Sequence, residues 1–151
     1  MKNEKNSLEN IRKLIDENNV EKAMEILNYT ADKSMWFQNA RAVCLMRLNL
    51  PEKAVKILTP IVYPGSCVAV DPQVPDKIKL NLAEAMLLAG NIGGAMILVE
   101  ENSQDCPLRD KLKLIIKKWK QSQSLWTRLT LFFGALPYDK TVSVEGPLGE
   151  P

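Results

Sequence analysis

The sequence predicts an all-α domain built of helical hairpins, and three observations carry that expectation. Apolar residues recur at helical rather than strand spacing along most of the chain. One short pattern, a polar break followed by an Ala and an aliphatic run, occurs three times within residues 18–99. The 151 residues are 46% apolar and 25% charged, the composition of one ordinary globular domain with a real core.

Taken in order, Ser7 is placed to cap a first helix over 8–17. The three breaks and the helices they open read Asn18-Asn19-Val20-Glu21-Lys22-Ala23-Met24-Glu25-Ile26-Leu27, Asn49-Leu50-Pro51-Glu52-Lys53-Ala54-Val55-Lys56-Ile57-Leu58 and Gly90-Asn91-Ile92-Gly93-Gly94-Ala95-Met96-Ile97-Leu98-Val99. Asn and Gly suit the left-handed residue that ends a helix. Pro51 stands where a first turn tolerates proline. In each case aliphatics follow the Ala at i+3 and i+4, which marks the inner face of a helix. Residues 35–48 place Trp36, Ala40, Val43 and Met46 on one apolar face. Asp76 is expected to cap 77–89, where Leu80, Ala83, Leu87 and Leu88 align. Between them, 62–75 holds three prolines and a glycine and reads as an inter-hairpin loop, with Cys67-Val68-Ala69-Val70 tucked against the core.

Toward the end of the chain, Leu112, Ile115, Ile116 and Trp119 share one stripe and Lys111, Lys113, Lys117 and Lys120 lie largely off it, predicting an amphipathic helix over 108–120. Gln121 to Ser124 is a polar break. A second short helix is expected over 125–133, stopped by Gly134 and Pro137. The stretch 117–134 holds two Trp, two Phe, three Leu and four cations, with no acid. Three readings compete for it: a cap packed on the last hairpin, an interfacial membrane foot, or a protein or dimer interface. On the last two, Lys117, Lys118, Trp119, Trp126, Arg128, Phe132 and Phe133 form the interaction patch. Thr141 to Val144 reads as one short strand or a docked arm, and the Pro- and Gly-containing end of 137–151 as loose.

Charge and composition narrow the function classes. The net charge is +2, and residues 1–100 balance 12 Lys/Arg against 12 Asp/Glu. Residues 109–128 carry seven cations against Asp110. That footprint is modest for nucleic acid, which is disfavoured. The absence of histidine removes Ser-His-Asp and Cys-His nucleophiles and the commonest metal ligand. Cys44, Cys67 and Cys106 lack CxxC spacing and read as free thiols of a reducing compartment. The Gly-Gly at 93–94 matches no phosphate loop and reads as close helix packing at Gly94. The acid pairs Asp16-Glu17 and Glu100-Glu101 read as solvated surface. We expect no enzyme, no cofactor, no metal site and no small-molecule substrate. Residues 1–7 hold no apolar signal core and no 18-residue apolar run occurs, so the expected location is cytoplasmic, or peripheral at a membrane surface.

Over residues 7–101 the chain resembles the tetratricopeptide-repeat (TPR) family. Ala42 with Ala54 and Ala83 with Ala95 stand twelve residues apart, as that family's paired small residues do; Leu45, Met86, Leu58 and Val99 stand at its large positions. Ile11 replaces the small residue in the first hairpin, and the Ala-to-Ala intervals of 31 and 41 depart from the family's spacing. The resemblance implies a TPR-like array of about three hairpins over 1–107, a C-terminal capping helix pair over 108–136, and a tail over 137–151. It also implies a concave groove that binds a peptide or helix of a partner protein, as in an adaptor, assembly factor or chaperone-like subunit; a homodimer is an open alternative. The family's groove positions fall on Leu8, Arg12, Ile15, Trp36, Asn39, Val43, Met46, Lys77, Leu80, Glu84 and Leu87. Leu8 and Ala40 stand where two of the polar residues of carboxylate-clamping members would be, which speaks against that mode. A competing reading has some of these apolar side chains packing the chain's own C-terminal segment.

Overall fold

The computed structural model describes residues 2–66, 69–102, 105–124, 142, 144 and 146–151. Among these, all regular structure is helical: α1 (Lys2–Asp16), α2 (Val20–Tyr29), α3 (Met35–Arg47), α4 (Pro51–Val62), a 3-10 turn at Pro64–Ser66, α5 (Asp76–Leu88), α6 (Ile92–Glu101) and α7 (Pro107–Ser122). None of the described helices is long and apolar enough to cross a membrane.

One turn is used three times. Asn18, Asn49 and Gly90 adopt positive φ of 60°, 58° and 85° at the ends of α1, α3 and α5. After each, an amide bonds back five residues, Asn19 to Leu14, Leu50 to Leu45 and Asn91 to Met86, at 2.8–2.9 Å. The positive-φ residue itself bonds back three, to Ile15, Met46 and Leu87. This double closure satisfies carbonyls that a helix end would leave bare. The next helix starts two residues on, with Pro51 in the first position of α4 and Asn91 Oδ1 accepting from the Gly94 amide at 3.0 Å. A Cβ at Gly94 would stand 3.0 Å from Met86 Sδ and from the Asn91 side chain, which accounts for a glycine in this close crossing.

The helices form two rows. In one, α1, α3, α5 and α7 lie side by side, each touching the next; in the other, α2, α4 and α6 each bridge two neighbours of the first row. The core runs between the rows. Ala42, Ala54, Ala83 and Ala95 are fully buried there, with Ile11, Leu27, Leu58, Ile78, Leu98 and Leu112. Each of the large aliphatic side chains contributes about 2 kcal/mol of burial.

Several local expectations are corrected. Ser7 lies inside α1, which starts at Lys2, and caps nothing. Asp76 is the first residue of α5 rather than its cap; Pro75 holds the cap position. The 62–75 loop is closed by the Asp71 amide on the Val62 carbonyl at 2.9 Å and by Asp71 Oδ1 on the Gln73 amide at 2.8 Å. Val74 is buried and Val70 half-buried, whereas Ala69 is exposed; Cys67 and Val68 lie outside the described residues. The end of the chain, expected to be loose, is seated on the protein.

Candidate functional site

The row of α1, α3, α5 and α7 carries a groove whose floor is polar yet buried. On α3, Asn39, Val43 and Met46 fall on one face at i, i+4 and i+7; on α5, Lys77, Asn81 and Glu84 do the same. Asn39, Asn81 and Glu84 have no exposed surface. A buried amide or carboxylate without partners costs several kcal/mol on the order of a lost hydrogen bond or more, so these three demand partners.

The partners are main-chain atoms of residues 147–151. Asn81 Oδ1 accepts from the Glu150 amide at 3.0 Å, and Asn81 Nδ2 donates to the Glu150 carbonyl at 2.7 Å. The same Nδ2 donates to Asn39 Oδ1 at 2.8 Å, which leaves Asn39 Nδ2 to donate to the Glu150 carbonyl at 3.1 Å. Glu84 Oε2 accepts from the Gly149 amide at 2.8 Å, while its Oε1 pairs with Lys111 Nζ at 2.8 Å. Arg47 donates to the Leu148 carbonyl at 2.8 Å and the Gly149 carbonyl at 3.4 Å, and to the Ile15 carbonyl at the end of α1. Lys111 reaches the Pro147 carbonyl and Lys77 the Pro151 carbonyl, each at 2.8 Å. Every carbonyl from 147 to 151 is therefore met by a side chain of the groove.

Side chains are read at fewer places. Gly149 is buried at φ +66° against Val43 and Met46; a Cβ there would stand 2.7 Å from Val43 Cγ2 and 2.8 Å from Met46 Cε. Leu148 packs, half-buried, on the core. Glu150 stands 3.8 Å from Lys77, both well exposed. Beside the segment a cleft of about 420 Å³ remains, bounded by Asp16, Arg47, Leu108 and Lys111.

The expected groove residues divide accordingly. Asn39, Val43, Met46, Lys77 and Glu84 meet at the bound segment. Ile15, Leu80 and Leu87 have no exposed surface and sit in the core cluster. Leu8 is half-buried against that core. Arg12 lies over the exposed Trp36 ring, 5.7 Å from its centroid, at the α1–α3 edge. Arg47, Asn81 and Lys111 complete the site and escaped the sequence reading. A signal existed: Asn81 is the polar interruption in an otherwise apolar stretch of α5, four residues after Lys77.

In the C-terminal patch, Lys117 and Lys118 are exposed, but Trp119 is only 8% exposed and packs into the core with Leu112 and Ile116. Trp126, Arg128, Phe132 and Phe133 lie outside the described residues, as does the helix expected over 125–133. Of the cysteines, Cys44 is fully buried and burial pushes its thiol up to about 11, which keeps it protonated and unreactive. Among the described residues no cluster of three His, Cys, Asp or Glu is placed to hold a metal.

Comparison with protein-family models, with curated proteins and with solved structures finds no match to this chain.

Proposed function

We propose that this protein is a non-catalytic, TPR-like interaction module that holds a segment of a partner protein along the row of α1, α3, α5 and α7. One observation carries the reading. Asn81 grips both the amide and the carbonyl of a single residue, Glu150, and its side-chain amide also donates to Asn39. Such a grip recognises main-chain atoms rather than a side chain. With residues 147–151 in place the two asparagines and Glu84 have no exposed surface, and the main chain of that segment answers their polar atoms.

Polyvalent peptide display against the full chain tests this. Selected peptides are expected to lose binding to the Asn39→Ala/Asn81→Ala variant, checked by circular dichroism for an intact fold, and to keep it with Lys117→Ala/Lys118→Ala. Peptides that bind all three chains alike would place recognition elsewhere.

A second reading, peripheral docking on an anionic membrane through 109–136, is favoured by one feature. Leu114 is 53% exposed and shares a face of α7 with the exposed Lys117 and Lys118. Co-sedimentation with phosphatidylserine vesicles that Lys117→Glu/Lys118→Glu abolishes would favour it; no sedimentation by the full chain would remove it.

A further inference from the structure

We propose that residues 147–151 are a tethered competitor for the groove, displaced by a partner that presents an apolar-Gly-acidic segment. The inference rests on reading the groove as a peptide site and adds what it selects and how it is gated.

The selection follows from three contacts. The Gly149 position is closed to any side chain by Val43 and Met46, at 2.7 and 2.8 Å from a would-be Cβ, and its φ of +66° favours glycine independently. The residue before it rests an apolar side chain on the core, as Leu148 does. The residue after it faces Lys77 across 3.8 Å; with both groups well exposed this is a preference for an acid rather than a requirement. All remaining bonds are to main chain, so a foreign segment reproduces them. The cleft of about 420 Å³ beside Pro147 and Gly149 has room for a partner longer than the resident segment, continuing toward Asp16 on α1.

The gating follows from connectivity. An occupant covalently tied to its own site competes at an effective concentration on the order of millimolar, so a free peptide making the same contacts must exceed that to enter. Within the resident segment Pro147 and Glu150 are exposed, and Gly149 is the buried anchor.

The experiment is fluorescence anisotropy with a fluorescein-labelled, C-amidated Gly-Pro-Leu-Gly-Glu-Pro peptide and the full chain. Wild type, Gly149→Val, Glu150→Lys and Gly149→Val/Asn81→Ala are compared, each with an intact helical circular dichroism spectrum. Gly149→Val expels the resident segment and is expected to bind the peptide at least about tenfold more tightly than wild type. Glu150→Lys, a surface change that serves should Gly149→Val not fold, shifts affinity the same way by less. The Asn81→Ala double variant is expected to lose binding, and a peptide with Ala for its second Gly to fail on every chain.

Equal, Asn81-dependent affinity of wild type and Gly149→Val would overturn the competitor while leaving the groove reading intact. Binding that survives Asn81→Ala, or no binding by any folded chain, would overturn both. A wild type that is dimeric by light scattering while Gly149→Val is monomeric would assign the segment to the groove of a second copy and overturn competition within one chain. Tight binding of the Ala peptide would remove the glycine rule.

Discussion

Lys111 and Lys113 stand two residues apart on α7 and live in different worlds. Two steps along a helix turn a side chain by ~200°, so one lysine faces the groove and the other the opposite side. Lys111 is a quarter exposed and joins the fully buried Glu84 at 2.8 Å and the Pro147 carbonyl. Lys113, with Lys117 and Lys120 in register behind it, lines a cleft of about 340 Å³ between α6 and α7 over Met96, Val99 and Ile116. The groove side thus converts charge into fixed hydrogen bonds, whereas the α6–α7 side keeps its ammonium groups hydrated above an apolar floor. The lesson is that the basic content of a helix says little until burial sorts its residues.

The widest test of that contrast is at Leu87, expected from sequence to line the groove and found in the core. Leu87→Ala should destabilise the fold by about 3 kcal/mol in urea denaturation, as a cavity-forming change does. A loss under about 1 kcal/mol would instead mark an open, groove-lining position.

Next comes alkaline pH, which probes the back of the groove wall at Cys44 on α3. Its thiol is raised from 9.0 to about 11, chiefly by burial and against the pull of Arg47. The folded state therefore holds the proton more tightly than the unfolded one. Its contribution is complete below pH 9 and is lost as pH rises from about 9 toward 11, to the extent of about 2–3 kcal/mol. Tyr63, raised by burial and by Glu101, acts in the same direction. Because Tyr63 remains in Cys44→Ala, the difference between urea midpoints of the two chains across pH 7–10.5 isolates the thiol. Parallel curves would show that Cys44 is not sealed.

Glu84→Gln sharpens the comparison further. It leaves Lys111 without its anion but keeps an acceptor for the Gly149 amide, so about 1–2 kcal/mol should be lost, discounted for the partial exposure of Lys111. A change under 0.5 kcal/mol would place Glu84 and Lys111 in the solvated class. Lys117→Ala on the other face of the helix closes the series, with an expected stability change within about 0.5 kcal/mol. A larger loss there would mean that the α6–α7 cleft also depends on its cations.

Much of the fold was legible in the residues because its signals are local. The left-handed ends at Asn18, Asn49 and Gly90, proline at the start of α4 and the small residue at Gly94 each act within one or two helical turns. Helix starts are less legible. Ser7 resembles a cap, yet the polar residues before it continue α1, and the residue before Asp76 is a proline that can hold the cap position itself. At the groove, the positions implied by the repeat-family resemblance include Asn39, Val43, Met46, Lys77 and Glu84, which meet at residues 147–151. They also include Ile15, Leu80 and Leu87, which have no exposed surface.

The residues by themselves determined the helical class and the three repeated turns, because those depend on backbone preferences and periodicity over short spans. Only the tertiary structure decided that Asn81, Arg47 and Lys111 complete the site and that a Pro- and Gly-containing end is its occupant. Asn39 and Glu150 are 111 residues apart, and no local rule links them. They meet because α3 and α5 lie side by side and the main chain of residues 147–151 partners polar side chains of both.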